Sequence, residues 1–258
     1  MELGLKDKVV AVTGGSKGIG LACAAAFLAE GARVAIVSRS AANLDRARKV
    51  LGDVFGFAAD LSDAARALAA VDAIEAALGP IDVLVNSAGA ARRTPPDELT
   101  PDAFRAAMDA KFFTYVNVVE PVVKRMAARR AGVIVNVIGN GGKVASPIHI
   151  PGGAANAALM LVTAGLAHAY ASKGVRVVAV NPGMTETDRV AEGLAADARL
   201  SGTTPEEARG RAVARIPLGR PARPDEIADT VVYLASGRAS YVTGVTVTMD
   251  GATMPVVV

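Results

Sequence analysis

The sequence predicts a doubly wound α/β fold: a single domain built on about seven parallel strands, with helices on both faces. Two observations carry this. Short apolar, β-branched runs recur at 9–12, 33–37, 54–58, 81–85, 133–138, 175–180 and 245–249, with helical patterns between them. Near-continuous apolar strands alternating with helices are what a parallel sheet covered on both faces requires, since each strand is then buried on both sides. The second observation is length: 258 residues are enough for one large α/β core, and no linker-like stretch divides them.

The first strand runs into TGGSKGIG, residues 13–20, which opens a helix-period segment over 21–30. A glycine-rich turn at this junction lets the backbone bend sharply and approach a ligand. The helix that follows offers unpaired N–H groups and the positive end of its dipole, which suits a pyrophosphate. The second strand ends at Ser38 and Arg39, where a dinucleotide-binding fold reads the adenosine ribose. An acid there would bind a 2′-hydroxyl, whereas an arginine suits a 2′-phosphate. Arg39, together with Lys17 inside the glycine turn, therefore points to NADP(H) in preference to NAD(H). The third strand is followed by Asp60-Leu61, the fourth by Asn86-Ser87-Ala88-Gly89 and the sixth by Asn181-Pro182-Gly183-Met184-Thr185. From Thr187 to Ile216 runs one long segment without a strand, polar and weakly helical, which we read as a candidate lid.

Composition excludes several classes. With 52% hydrophobic and 21% charged residues the chain is globular, and its formal charge of +3 is interspersed with acids, leaving no nucleic-acid footprint. No apolar run approaches the ~20 residues of a membrane span, and the N-terminal MELGLKDK lacks a signal peptide's hydrophobic region; a cytoplasmic location is expected. Cys23, the one cysteine, lies in the small-residue run LACAAAF and is assigned to packing. Two histidines, His149 and His168, with no second thiol give no metal-site spacing.

These motifs, with Ile216-Pro217-Leu218-Gly219-Arg220, Pro224-Asp225-Glu226-Ile227-Ala228 and Val242-Thr243-Gly244 leading to Asp250-Gly251, resemble the short-chain dehydrogenase/reductase family in order and spacing over nearly the whole chain. The resemblance implies a Rossmann-type fold, a nicotinamide cofactor, oxidoreductase activity and a homo-oligomer, dimer or tetramer. Carried over residue by residue, it places Gly14, Ser16, Gly18, Ile19 and Gly20 at the pyrophosphate and Asp60 and Leu61 at the adenine. Asn86, Ala88 and Gly89 fall on the ribose side, and Pro182, Gly183, Thr185 and Thr187 at the nicotinamide amide.

The same resemblance implies a tyrosine acidified by a lysine four residues on, completed by a serine and an asparagine. Here the tyrosine position falls on Gly152, the lysine position on Asn156, the serine position on Gly139 and the asparagine position on Lys111. No register shift restores the tyrosine, because none lies between Tyr115 and Tyr170. With further glycines at 141, 142 and 153, the cleft is expected to be roomier and less polar. The titratable candidates nearby are His149, whose ordinary pKa of about 6.5 suits acid–base work, Lys111 and Lys143. Lysine and asparagine have traded places, so the Lys111 amine is expected to reach Asn156 directly or through one water. Three functions remain open: an NADP(H)-dependent oxidoreductase with a non-standard site, a cofactor-binding pseudoenzyme serving as sensor or partner subunit, and a non-redox enzyme using the enlarged cleft.

Overall fold

The structure, a computed structural model, describes residues 2–89 and 91–256, with the backbone alone at 192 and 196. Its strands are β1 (Val9–Thr13), β2 (Arg33–Ser38), β3 (Phe55–Ala58), β4 (Val83–Asn86), β5 (Gly132–Val137), β6 (Val175–Pro182) and β7 (Thr246–Met249), each within two residues of its expected bounds. They form one sheet in the order β3-β2-β1-β4-β5-β6-β7, with every neighbouring pair parallel. The helices are α1 (Gly18–Ala29), α2 (Ala41–Leu51), α3 (Ala64–Leu78), α4 (Pro101–Ala107), α5 (Thr114–Ala128), α6 (Ile150–Tyr170), α7 (Asp188–Ser201), α8 (Pro205–Ala214) and α9 (Pro224–Ala235).

Alternation along the strands sends side chains to two cores. Val10 and Val12 join Cys23, Phe27, Ile227 and Val231 on one face, while Val9 and Ala11 join Ile74, Val119, Met126 and Ile134 on the other. Every residue of β1 and β4 is buried. None of β3 or β7 is, because these edge strands have a neighbour on one side only, so burial on both sides holds for the inner strands alone. Cys23 packs as expected, and burial pushes its thiol up to about 12.

Two expectations are corrected. The stretch 150–173 contains a window of mean hydropathy 1.4 and is, by length and composition, apolar enough to cross a membrane, although polar residues interrupt it. In the structure α6 lies on the sheet and buries Ala155, Asn156, Leu159, Thr163 and Ala167 along one stripe. The segment over 187–216 is not weakly helical: it forms α7 and α8. Thr204 and Glu207 close a capping box around α8 with Pro205 at its first position, and Gly202 ends α7 in the left-handed conformation. Those signals stood in the sequence under the polarity of the segment.

Candidate active site

The predicted binding residues converge on the C-terminal edge of the sheet, where the strand order turns back between β1 and β4. At the glycine turn Gly14 has φ +67°, and a methyl group on it would lie 2.8 Å from the backbone of Ala88; one on Gly20 would lie 2.3 Å from the Gly14 carbonyl oxygen. Only bare backbone fits this cradle. The N-terminus of α1 has no side-chain cap and no acid in its first turn, so its N–H groups are left for a ligand. Together these features fit the pyrophosphate of a dinucleotide. Ser16 donates to Ser38 (3.0 Å), which joins the turn to the end of β2, where Arg39 and Lys17 stand exposed. Thr187, at the start of α7, comes down on the same turn: a methyl on Gly18 would meet its Cγ2 at 3.2 Å.

Other predicted residues are already engaged. The Asp60 carboxylate accepts from the Ser62 amide (3.1 Å) and hydroxyl (2.8 Å), which hold it below its usual range; Asp63, not Asp60, caps α3. Asn86 is wholly buried, accepting from Thr13 Oγ1 (3.3 Å) and donating to Asn136 Oδ1 (3.0 Å). Asn136 in turn donates to Thr163 of α6 (3.0 Å). This chain of buried amides ties β1, β4, β5 and α6 together beneath the crevice, so the Asn86 side chain is spent on the scaffold. Leu61 is buried, Ala88 donates its N–H to Thr13 Oγ1 (3.3 Å), and the Gly89 carbonyl accepts from Arg189 Nη1 (3.0 Å). Pro182 ends β6, the Gly183 N–H donates to the Met249 carbonyl (2.9 Å), and the buried Thr185 hydroxyl bonds the Gly183 carbonyl (3.3 Å).

Between α4 and α5 the chain takes one π-helical stretch, Met108–Phe113, a wide turn often found at functional sites. It turns Lys111 inward. The amine donates to Tyr115 Oη (2.8 Å) and to the Val137 carbonyl (3.1 Å) at the end of β5, and lies 4.5 Å from the centre of the Tyr115 ring. Burial, with the positive charge of Arg189, lowers the amine to about 7. Its direct partners are therefore Tyr115 and Val137, not Asn156; among the described residues the Asn156 amide makes no hydrogen bond, and it faces the open side of Gly139. Tyr115 is a partner the sequence reading passed over. The i,i+4 spacing of Lys111 and Tyr115 was the available signal, but burial pushes the phenol far up, which keeps its proton in place. Lys143 reaches away to Thr248 of β7 (3.1 Å).

His149 precedes α6, and its imidazole is seated between two glycines. A methyl on Gly152 would lie 2.2 Å from His149 Cε1, and one on Gly141 would lie 3.2 Å from Cδ2. Nδ1 is buried without a partner among the described residues. Desolvation, then the charges of Arg93, Lys111 and Arg189, lower its pKa. The glycines do not open the cleft as expected. A methyl on Gly142 would meet Ala157 N at 2.7 Å and one on Gly153 the Gly141 carbonyl oxygen at 2.6 Å, so they let the loop after β5 close onto α6. Only at Gly139 is there room, its nearest neighbour being Asn156 Nδ2 at 3.4 Å.

A parallel seven-stranded sheet in this order, with a bare-backbone cradle at its switch point, defines a dinucleotide-binding protein of the Rossmann type. The family model described as short chain dehydrogenase matches residues 8–197, and the chain belongs to that family. It is 35% identical over 252 residues to a D-threitol dehydrogenase of Mycolicibacterium smegmatis, covering 96% of this chain and 93% of that protein. Among solved structures it is similar to a point variant of actinorhodin polyketide ketoreductase with NADPH (TM-score 0.93, 30% identity, 97% of this chain and 98% of that one). It is similar also to L-sorbose reductase from Gluconobacter frateurii complexed with NADPH and L-sorbose (TM-score 0.91, 27% identity, all of both chains).

Proposed function

We propose that the protein is an NADP(H)-dependent oxidoreductase with a non-standard site, in which the His149 imidazole exchanges a proton with the substrate oxygen where other family members use tyrosine. The observation that carries this reading is the seat of the imidazole. It occupies the space that the first atom of a side chain at position 152 would take, so a titratable group stands beside the position that the family resemblance gives to tyrosine. Bound nicotinamide supplies or accepts a hydride; the chain's own residues handle the proton. In carbonyl reduction the imidazolium gives its proton to the forming alkoxide, and in alcohol oxidation the neutral ring takes it up. The Lys111 amine, below its lowered pKa of about 7, adds positive charge beside the same crevice. Preference for NADP(H) is supported by Arg39 and Lys17 and by the NADPH held in both similar structures. The reading also takes the protein as a cytoplasmic dimer or tetramer, in which the exposed Leu161 and Tyr241 would be covered; sedimentation tests the assembly.

The test is turnover of NADPH with a panel of ketones, enals and imines, and of NADP+ with the matching alcohols. His149→Gln should lower turnover by roughly 10²- to 10⁴-fold, the usual weight of general acid–base catalysis. Because desolvation and its positive neighbours hold the His149 pKa below its ordinary value, alcohol oxidation should rise with pH on the acid side of neutrality and then level. Reduction should fall over the same range. A variant with unchanged rates and an unchanged pH profile would remove His149 from the mechanism. Cofactor binding by a wild type that turns over nothing would leave a binding protein without chemistry.

A further inference from the structure

Residues 91–94, after β4, lie against the loop that carries His149. The Thr94 N–H donates to the Ile148 carbonyl (3.0 Å), pinning this segment beside the loop that carries His149, and a methyl on Gly152 would also lie 2.8 Å from Ala91 Cβ. Arg93 then reaches the opposite wall: a methyl on Gly193 of α7 would sit 3.1 Å from its Nη2, so the guanidinium lies flat on the bare backbone of that helix. Arg93 therefore reaches from beside the His149 loop to α7. Among the described residues it has no acidic partner and no hydrogen bond, whereas Arg48, Arg105, Arg125, Arg209, Arg211, Arg220 and Arg223 all hold carboxylates. The described charges that bear on His149 are all positive: Arg93, Lys111 and Arg189.

An exposed planar guanidinium that rests with one face on Gly193, its donors unspent within the chain, is a ready fork for an oxyanion. We infer that Arg93 is a specificity residue that binds the carboxylate of an oxo-acid substrate, with the carbonyl directed inward to His149. The inference rests on the oxidoreductase reading for the role of the carbonyl, but the binding step does not require turnover. An anion at Arg93 also offsets a positive charge that disfavours protonation of the imidazole, so substrate binding should make His149 easier to protonate.

NMR titration of the protein with excess NADP+, a mixture in which ketones do not react, tests both statements through the imidazole signals, of which the chain has only two, His149 and His168. The probes are 2-oxobutanoate, acetoacetate and levulinate, each beside its methyl ester. We expect at least one acid to bind roughly tenfold or more tightly than its ester, the scale of a charge-assisted pair. The bound acid should raise the His149 pKa. Arg93→Ala should abolish the preference and by itself raise that pKa, while Arg92→Ala, the adjacent arginine, should do neither. Equal binding of acids and esters, failure of all three acids to bind, or a preference that survives Arg93→Ala would overturn the inference. Acid-selective binding without NADPH turnover would instead sink the proton-donor reading and leave this one standing.

Discussion

The two ends of the crevice are built from different material. At the β1–α1 end recognition is a property of backbone: bare turns, an uncapped helix terminus and a carbonyl 2.3 Å from where a methyl on Gly20 would be. At the β5–α6 end it is a property of side chains whose protonation the fold has displaced, Lys111, Tyr115 and His149, with Arg93 beside the His149 loop. A backbone site works by shape and tolerates no added atom. A side-chain site works by charge, and what it tolerates depends on pH.

The largest expected effect sharpens this contrast. Burial lowers the Lys111 amine from 10.5 to about 7, so between those values the unfolded chain holds a proton that the folded chain has released. Wild-type stability should rise with pH across that window by about 1.4 kcal/mol per unit, on the order of 5 kcal/mol in all, with the full penalty felt below it. Lys111→Met should lose that slope and be the more stable protein near neutrality, as read by denaturant unfolding at several pH values. Identical slopes would mean that the amine is solvated.

Gly20→Ala should cost about 1–3 kcal/mol of stability and abolish NADPH binding, because the obstruction is a carbonyl that cannot swing aside; retention of tight binding would break the claim that this end works by shape. Gly152→Ala meets a side chain instead. The imidazole must leave its seat and Ala91 must give by a few tenths of an ångström, so the melting temperature should fall less than in Gly20→Ala while turnover falls about tenfold or more. A loss of stability as large as that of Gly20→Ala would show that both ends are built alike. The smallest effect is at the adenosine: Arg39→Ala should weaken NADPH by about 1 kcal/mol and leave NADH unchanged, since the group is exposed and screened. Equal loss for both cofactors would deny it a part in 2′-phosphate recognition.

The same contrast decides what could be read from sequence. Seven strands, their order in the chain and the glycine turn were legible because apolar runs and glycine clusters are rare patterns with few physical causes. The role of Asn86 was only half legible: its position at a strand end could be read, but not that its amide is spent on Thr13 and Asn136. Lys111 was legible as a titratable candidate expected to reach Asn156, yet its partners come from β5 and from the next turn of its own helix. Arg93 was passed over altogether, since an arginine in a polar loop has no local signature. Its setting depends on Gly193, one hundred residues away, and on a hydrogen bond from its neighbour Thr94 to Ile148.

Because a methyl on Gly152 and the imidazole of His149 compete for the same space, the two positions cannot change independently. A tyrosine placed at 152 in this chain would meet the histidine before it met any substrate, so Gly152→Tyr alone should damage the site, and only together with a small residue at 149 could it be accommodated. The order of change that avoids this clash puts a small residue at 149 first, and the chain then carries neither group until 152 changes. Between the two changes there is no group at this position to move a proton.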